Sequence, residues 1–187
     1  MKKHKLEMPY LVKRFDQHEQ LKDSILSMLE IAQFISPEDS RSEVNITKTD
    51  WPLSRAPRDW VTYISEPLTK NLLEMYAELG FDGFMMTDIW FQQYLKGSEH
   101  GWHVHNGNYT NVYYLELPKG TPPTQLLSPW DNKTVIEVEV EEGDLLICPA
   151  SVLHKAPKNQ SDTLRKTIIS YNTEVTYSDE MYKKSFL

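Results

Sequence analysis

The chain has 187 residues, 40% of them apolar and 25% charged, a composition typical of a soluble globular protein large enough for one domain. Its 20 basic and 27 acidic residues give a formal net charge of −7, and since no basic cluster stands out beyond the N-terminus, the sequence predicts no nucleic-acid partner. No segment approaches the roughly 18 consecutive apolar residues of a membrane span, and the basic start lacks the apolar region of a secretory signal, so we expect a cytoplasmic protein without a membrane partner.

Two amphipathic helices are predicted in the N-terminal half. Asp16 and Glu19 have the spacing of a capping box, and apolar residues then recur at helical intervals until Ser36-Pro37. The second helix is predicted to start near Ser65-Glu66-Pro67 and to end at Gly80. The apolar stripes consist of Leu21, Ile25, Met28, Leu29 and Ala32 in the first helix, and of Leu68, Leu72, Met75, Tyr76 and Leu79 in the second.

The segment between the helices, residues 37–64, is polar and contains three prolines, which predicts an irregular conformation. Trp51 and Trp60 are expected to hold this segment on the core through their large apolar side chains. We do not expect it to be a linker between domains.

From residue 88 onward the apolar period changes from 3.6 to 2 residues, which indicates short strands separated by Gly, Pro, Asn and Asp turns. Strands are predicted at 88–95, 102–106, 109–117, 134–141, 143–150 and 164–172. The only cysteine, Cys148, lies in an apolar strand, so we expect a buried thiol and neither a disulfide nor a cysteine-rich zinc site. Helices followed by antiparallel strands predict an α+β chain whose C-terminal half is a sandwich or barrel.

Two histidines, His103 and His105, are two residues apart on a predicted strand, so their side chains project from the same face. The opposite register is also open, with Trp102 and Val104 facing the core and both histidines in water. His154 follows a strongly apolar strand, where a loop leaving a barrel would hold it over the barrel's mouth. A His-x-His pair with one distant histidine is a workable three-nitrogen metal site with open coordination positions.

Alternation in the last strand places Arg165 on one face together with Ile169 and Tyr171. Because this face has no lysine, we expect it to point inward. An inward arginine requires an anion, and its planar fork suits a carboxylate, so Arg165 predicts a bound carboxylate. The alternative is that Arg165 reaches the rim or pairs with an acidic residue of the chain.

These residues resemble the Fe(II)/2-oxoglutarate-dependent dioxygenases, specifically a prolyl-hydroxylase-like branch that includes uncharacterised bacterial and phage proteins. The resemblance covers residues 84–176, about half of the chain. It implies one domain over residues 1–187, in which two helices in residues 1–83 support a double-stranded β-helix of the jelly-roll, cupin-like type at 84–176, followed by a C-terminal tail at 177–187.

In this family a His-x-Asp/Glu motif and a distal histidine bind iron, and an arginine shortly after the distal histidine binds the far carboxylate of 2-oxoglutarate. The match implies that His103 and His154 bind Fe(II). It also implies that Arg165, eleven residues after His154, binds 2-oxoglutarate, with Thr167 completing the Arg-x-Ser/Thr pattern.

Two tyrosines resemble family residues that contact the co-substrate. Tyr94 precedes His103 by nine residues on the preceding strand, and Tyr114 lies in the strand that follows. Tyr113 competes with Tyr114 for the inward position, and we favour Tyr114 because it is in phase with Val112 and Thr110. Either tyrosine could instead be an aromatic residue that fills core space.

The sequence departs from the family pattern at His105, where the family has Asp or Glu. We expect His105 to be the third iron ligand, because three-histidine iron sites are chemically reasonable and a 2-oxoglutarate dianion can neutralise the full charge of Fe(II). The alternatives are that water or Glu99 fills this position, that His100 replaces it, or that the protein has lost activity.

The resemblance implies an Fe(II)- and 2-oxoglutarate-dependent dioxygenase that hydroxylates a peptide side chain or a small molecule and converts 2-oxoglutarate and O2 to succinate and CO2. Two other functions stay open. One is a three-histidine, cupin-like dioxygenase that does not use 2-oxoglutarate, which the carboxylate clamp expected at Arg165 disfavours. The other is a metal-free jelly-roll module for binding or assembly.

Overall fold

The computed structural model describes residues 1–2, 4, 8–34 and 44–177. Two long helices lie within this part of the chain, α1 (His18–Ile31) and α2 (Asp59–Glu78), together with a short 3-10 helix at Trp51–Leu53. The strands are β1 (Leu11–Arg14), β2 (Val44–Asn45), β3 (Lys48–Thr49), β4 (Gly83–Tyr94), β5 (Glu99–His103), β6 (Tyr109–Glu116), β7 (Gln125–Leu127), β8 (Val135–Glu137), β9 (Asp144–Pro149), β10 (His154–Ala156) and β11 (Lys166–Thr176). Within the same ranges, no helix combines the length and the apolar character that crossing a membrane requires.

The strands form two antiparallel sheets, as expected for a jelly roll. The six-stranded sheet has the order β1-β9-β6-β11-β4-β3, and the five-stranded sheet has the order β2-β5-β10-β7-β8. Strand β11 lies inside the larger sheet and pairs with β4 on one side and β6 on the other. The strands predicted at 109–117, 143–150 and 164–172 correspond to β6, β9 and β11, whereas only Val135–Glu137 of the segment 134–141 is a strand.

The two helices cover one face of the six-stranded sheet. Ile25 and Leu29 of α1 share one apolar core with Leu72 of α2 and with Phe91 and Ile169 of the sheet, and all five are fully buried. Burial of side chains of this size contributes about 1.5–3 kcal/mol each relative to exposure. The predicted apolar stripes therefore hold the helices against the sheet.

Helix α2 begins at Asp59, earlier than the predicted start near residue 65. Trp60 and Ile64 are 2% and 0% exposed. Each lies about one helical turn before the next apolar residue of the stripe that continues at Leu68, so the two residues extend this stripe upstream. Pro67 was expected at the first turn but lies inside the helix. Burial of two large side chains upstream outweighs the cost of about 3 kcal/mol that an interior proline brings.

The start and end of α1 also differ from the prediction. Its N-cap is Gln17 and makes no side-chain capping bond, so the capping box is wrong, and Glu19 instead accepts a hydrogen bond from Arg14 at 2.8 Å. The helix ends at Ile31, because Ala32 has an extended backbone, and the predicted stop at Ser36-Pro37 lies outside the described residues.

A buried ion pair joins the segment between the helices to the sheet. Asp50 is 1% exposed and accepts hydrogen bonds from Arg58 at 2.5 Å, from the indole N–H of Trp60 at 3.0 Å and from the backbone N–H of Phe91 at 2.8 Å. Trp60 thus anchors this region as predicted, whereas Trp51 is 61% exposed and does not.

A second core lies between the two sheets. Tyr94, Tyr114 and Ile168 of the larger sheet pack there with Leu126 of the smaller one. Cys148 belongs to the same core with 2% exposure, so the predicted buried thiol is confirmed, and burial raises its pKa to about 12. Neighbouring residues of β11 thus face opposite cores.

Candidate active site

A small cavity lies between the two sheets and opens to solvent. Strands β4, β6 and β11 form one wall, and β5 and β10 form the other. The cavity is lined by Gln92, Tyr94, His100, His103, His105, Thr110, Val112, Thr124, His154, Lys155, Ala156, Ile168 and Ser170.

The structure brings together the three histidines that the sequence indicated. Strand pairing places His154 of β10 directly opposite His103 of β5, and His105 follows at the end of β5. One nitrogen of each ring lies within 4.8 Å of the other two, close enough for one metal ion to bind all three. The opposite register is wrong, because Trp102 and Val104 are 38% and 52% exposed.

Backbone carbonyl groups fix the orientation of two of these rings. Nδ1 of His103 lies 2.7 Å from the carbonyl of Gly101, and Nδ1 of His154 lies 2.9 Å from that of Val152. Carbonyl oxygens only accept hydrogen bonds, so both Nδ1 atoms carry the proton and both Nε2 atoms keep a free lone pair. This arrangement is the one that prepares histidine for metal binding through Nε2.

The third ring is held by its neighbours rather than by the backbone. Nε2 of His105 lies 3.1 Å from Nε2 of His103, and the ring of His105 packs against Trp90 with the centroids 5.5 Å apart. Two ligands bound at right angles, each about 2.1 Å from a metal, are about 3.0 Å apart, so the observed separation suits a shared ion.

Burial keeps the histidine cluster neutral. The pKa is lowered to about 4 for His154, to about 3 for His100 and to about 2 for His105, first because burial disfavours the charged ring and second because the neighbouring histidines repel the charge. The pKa of His103 is lowered for the first of these reasons. Neutral imidazole is the form that binds metal.

Acid is therefore expected to destabilise the metal-free protein. A histidine whose folded pKa lies below its ordinary value of 6.5 is protonated first in the unfolded chain, so its contribution is complete above pH 6.5 and is lost as the pH falls toward about 4. Each buried histidine adds up to about 1.4 kcal/mol per pH unit in this window. Urea unfolding at pH 7.5, 6 and 5 measures the slope, and an unchanged free energy of unfolding would contradict neutral burial.

Two residues that were considered as substitutes for His105 have different positions. Glu99 is exposed and does not line the cavity. His100 lines it and stacks on the ring of His103, with centroids 3.7 Å apart and an angle of 13° between the rings. His100 therefore packs against the ring of His103. The triad His103, His105 and His154 remains the set that one metal ion can bind.

Lys166 is the cationic residue buried beside this cavity, and sequence reasoning missed it. Its side chain is 1% exposed, donates a hydrogen bond to the carbonyl of Pro122 at 3.0 Å and lies 4.6 Å from the ring centre of Tyr94. Burial lowers its pKa to about 8. Among the described residues no carboxylate lies within ion-pair distance of its Nζ, and an unpaired buried ammonium is costly unless an anion joins it.

The expected inward position of Arg165 is wrong. Its guanidinium binds both carboxylate oxygens of Glu116, at 2.9 and 3.2 Å, and reaches Glu30 of α1 at 2.6 Å. Thr167 donates to the same Glu116 carboxylate, so neither residue lines the cavity. The alternative in which Arg165 pairs with acidic residues of the chain describes the structure.

Both favoured tyrosines lie on the cavity side of the larger sheet. The Tyr114 hydroxyl donates to Thr124 at 2.8 Å, whereas Tyr113 faces the helices and its hydroxyl lies 2.6 Å from His18. Tyr94 lines the cavity, and its buried hydroxyl has no hydrogen-bond partner in the described structure. The Tyr94 hydroxyl thus has an unused hydrogen-bond donor, and the ammonium group of Lys166 lies over the same ring.

No protein-family model matches the sequence, and no curated protein matches it either. By structure the chain is similar to a prolyl hydroxylase of Trichoplax adhaerens in complex with a peptide fragment of the hypoxia inducible factor oxygen degradation domain (15% identity, 94% of this chain and 86% of that chain, TM-score 0.63). It is also similar to a prolyl-4-hydroxylase of Pseudomonas putida (13%, 88% and 92%, 0.58) and to SnoN, a non-haem α-ketoglutarate-dependent epimerase of nogalamycin biosynthesis (10%, 89% and 76%, 0.67). At such identities the similarity establishes the fold.

Proposed function

We propose that this chain, which has the jelly-roll fold of prolyl hydroxylases and other 2-oxoglutarate- and Fe(II)-dependent oxygenases, is itself an oxygenase of this kind. The observation that carries the proposal is the combination of three convergent imidazoles in one cavity with a buried lysine that has no anionic partner and lies over the ring of Tyr94, a residue that lines this cavity. A metal ion would bind the three imidazoles, and a dicarboxylate would bind the metal with one end and the lysine with the other.

His103, His105 and His154 would hold the iron. Their donor nitrogens converge from β5, the turn after it and β10, which leaves the remaining positions of an octahedral ion open for other ligands. His105 replaces the usual acidic ligand, so the protein contributes no negative charge to the metal.

Lys166 would bind the far carboxylate of 2-oxoglutarate, with the Tyr94 hydroxyl as a second donor to it. Both groups are buried, and neither has a carboxylate partner among the described residues. This assignment replaces Arg165 and Thr167, whose hydrogen-bonding groups are occupied by Glu116.

When bound, iron and 2-oxoglutarate supply the oxidising chemistry, in which O2 and 2-oxoglutarate become succinate and CO2 while a C–H group of the substrate is hydroxylated. The chain itself provides orientation and a cavity that limits access of water. The backbone carbonyls of Gly101 and Val152 hold two rings in the metal-binding tautomer, and His100 supports one of them by stacking.

The substrate is proposed to be a peptide side chain or a small molecule. Among proteins of this fold, the Trichoplax enzyme is described with a peptide fragment and SnoN belongs to the biosynthesis of nogalamycin. At the cavity of the present chain, Lys155 lies over the exposed ring of Trp102, with its Nζ 4.8 Å from the ring centre. These two side chains would be available to contact a substrate.

The two other functions, a cupin-like dioxygenase and a metal-free module, explain fewer of these features. A cupin-like dioxygenase that binds only its organic substrate has no need for the buried charge of Lys166. A metal-free module leaves unexplained why two of the three convergent histidines have Nδ1 bound to carbonyl groups and Nε2 free. Release of succinate that depends on both iron and 2-oxoglutarate would separate the proposed function from both.

His154→Ala is expected to abolish iron-dependent succinate release and to weaken metal binding at least about 100-fold, because it removes one of three ligands. His4→Ala is the matched control, since His4 is exposed near the N-terminus and should leave both properties unchanged. The measurement is succinate formed from 2-oxoglutarate, together with the iron content after dialysis against buffer that contains 2-oxoglutarate. Equal iron content in the two variants would contradict the ligand assignment.

A further inference from the structure

The residues around the cavity carry positive charge or none. Lys155 lines the cavity and Lys166 lies over the ring of the lining residue Tyr94, while the four histidines contribute imidazoles, which bind metal in their neutral form. Among the described residues that line the cavity there is no aspartate or glutamate. Asp88 is the acidic residue whose charge reaches His105, and its carboxylate is already bound by Arg55 at 2.8 Å.

Either ligand alone leaves charge uncompensated in this cavity. A divalent ion held by three neutral imidazoles keeps its full charge and lies in the same low-dielectric region as the Lys166 ammonium, which repels it. A 2-oxo dicarboxylate without the metal is met by Lys166 but has no cation for its 2-oxo acid end. When both ligands are bound, the dianion lies between the metal ion and the Lys166 ammonium and compensates most of their positive charge.

We propose that His105, standing where related sites have an acidic ligand, makes the divalent metal and the 2-oxo dicarboxylate bind as a mutually dependent pair. The inference rests on the proposed function and adds a regulatory property to it: the site retains its metal only when the co-substrate is present. Since coupling between two ligands is reciprocal, each must raise the affinity of the other by the same factor.

Lys166 determines which anions produce this effect. A 2-oxo monocarboxylate such as pyruvate can chelate the metal but brings no second carboxylate to the lysine. It therefore leaves the buried ammonium unpaired and increases metal affinity less than 2-oxoglutarate does. The mutually dependent pair is specific for a dicarboxylate.

The test is Mn(II) binding, measured by the electron paramagnetic resonance of free Mn(II), with no anion, with saturating 2-oxoglutarate and with pyruvate. For the wild-type protein 2-oxoglutarate is expected to lower the apparent Kd for Mn(II) about 30-fold or more, and pyruvate about 5-fold or less. His105→Asp, which restores a carboxylate, is expected to bind Mn(II) more tightly without any anion and to show a coupling factor of about 5 or less. His105→Asn introduces a side chain with the shape of aspartate but without its charge, and this variant is expected to keep the large coupling factor.

A wild-type factor below about 3, or a factor in His105→Asp as large as in the wild type, overturns the inference. A second measurement needs no variant: Mn(II) is expected to lower the apparent Kd of the wild-type chain for 2-oxoglutarate about 30-fold or more, and a change below about 3-fold also overturns the inference. If Mn(II) and 2-oxoglutarate bind independently and succinate is still formed, the inference fails while the proposed function stands. If neither binds, alone or together, both fail.

Discussion

Lys166→Met is expected to weaken 2-oxoglutarate binding about 100-fold or more and, at the same time, to stabilise the ligand-free protein. The loss of binding follows from the removal of the buried cation that the far carboxylate would meet, since truncation of one partner of a buried charged pair costs about 2–5 kcal/mol. The gain in stability follows because methionine fills similar space without a charge.

The sign of the stability change comes from the pKa of the lysine. Burial lowers it from 10.5 to about 8, so the unfolded chain binds the proton more tightly, and the folded protein gains stability only as the pH rises from about 8 to 10.5. At pH 7 the buried ammonium is therefore a penalty on the order of 3 kcal/mol, which the substitution removes. Isothermal titration with 2-oxoglutarate and Mn(II), and urea unfolding without ligands, measure the two effects.

Arg165→Met is the matched control, because it changes the residue directly before Lys166, whose side chain binds Glu116 and does not line the cavity. Arg165 binds Glu116 and Glu30, and its side chain is 30% exposed. The control is expected to keep 2-oxoglutarate affinity and to lose some stability, the reverse of Lys166→Met. Loss of 2-oxoglutarate binding in Arg165→Met with normal binding in Lys166→Met would contradict the assignment.

Asp50→Ala is expected to destabilise the protein by about 3–5 kcal/mol, the loss typical when one partner of a buried ion pair is removed. The substitution leaves the guanidinium of Arg58 without its anion and deprives the indole N–H of Trp60 and the backbone N–H of Phe91 of their acceptor. These three donors belong to the region before α2, to α2 itself and to β4, so one carboxylate joins the helical layer to the sheet. Urea unfolding at pH 7.5 measures the loss.

Asp162→Ala is the control for this substitution. Asp162 pairs with Lys96, and both side chains are largely exposed, at 74% and 62%. Exposed ion pairs contribute little, so a small change is expected. If Asp50→Ala unfolds at the same urea concentration as Asp162→Ala, the buried pair does not hold these elements together.

Local periodicity was sufficient for the helical stripes, for the principal strands and for the histidine pair. Strand alternation predicted that His103 and His105 project from one face. The strand ends at His103, but the exposed side chains of Trp102 and Val104 confirm that both histidines face the cavity. An α+β chain with a C-terminal sandwich or barrel was likewise predictable, because two helical periods followed by a series of two-residue periods allow few layer arrangements, whereas the jelly-roll type was implied by the family resemblance.

Helix boundaries were less predictable because tertiary burial overrides local signals. Pro67 is a typical first-turn residue, yet the burial of Trp60 and Ile64 extends α2 upstream of it. The 3-10 turn at Trp51–Leu53 and the Asp50 ion pair likewise depend on partners far along the chain, such as Phe91. No periodicity encodes a contact of this kind.

The sequence by itself determined the α+β class, the spacing of His103 and His105 and the alternation of β11, since each of these is a local pattern. That His154 meets this pair depends on the register between β10 and β5, which is a tertiary feature. Only the tertiary structure decided which face of β11 meets the cavity. The helices cover the outer face of the sheet, so residues from Lys166 to Thr173 are buried on both faces. A lysine in this part of the strand therefore does not indicate a solvent-facing side, because neither side faces solvent. Consequently Arg165 meets Glu116 and Glu30 of the helical layer, and Lys166 is the cation without an anionic partner, over the ring of the cavity residue Tyr94.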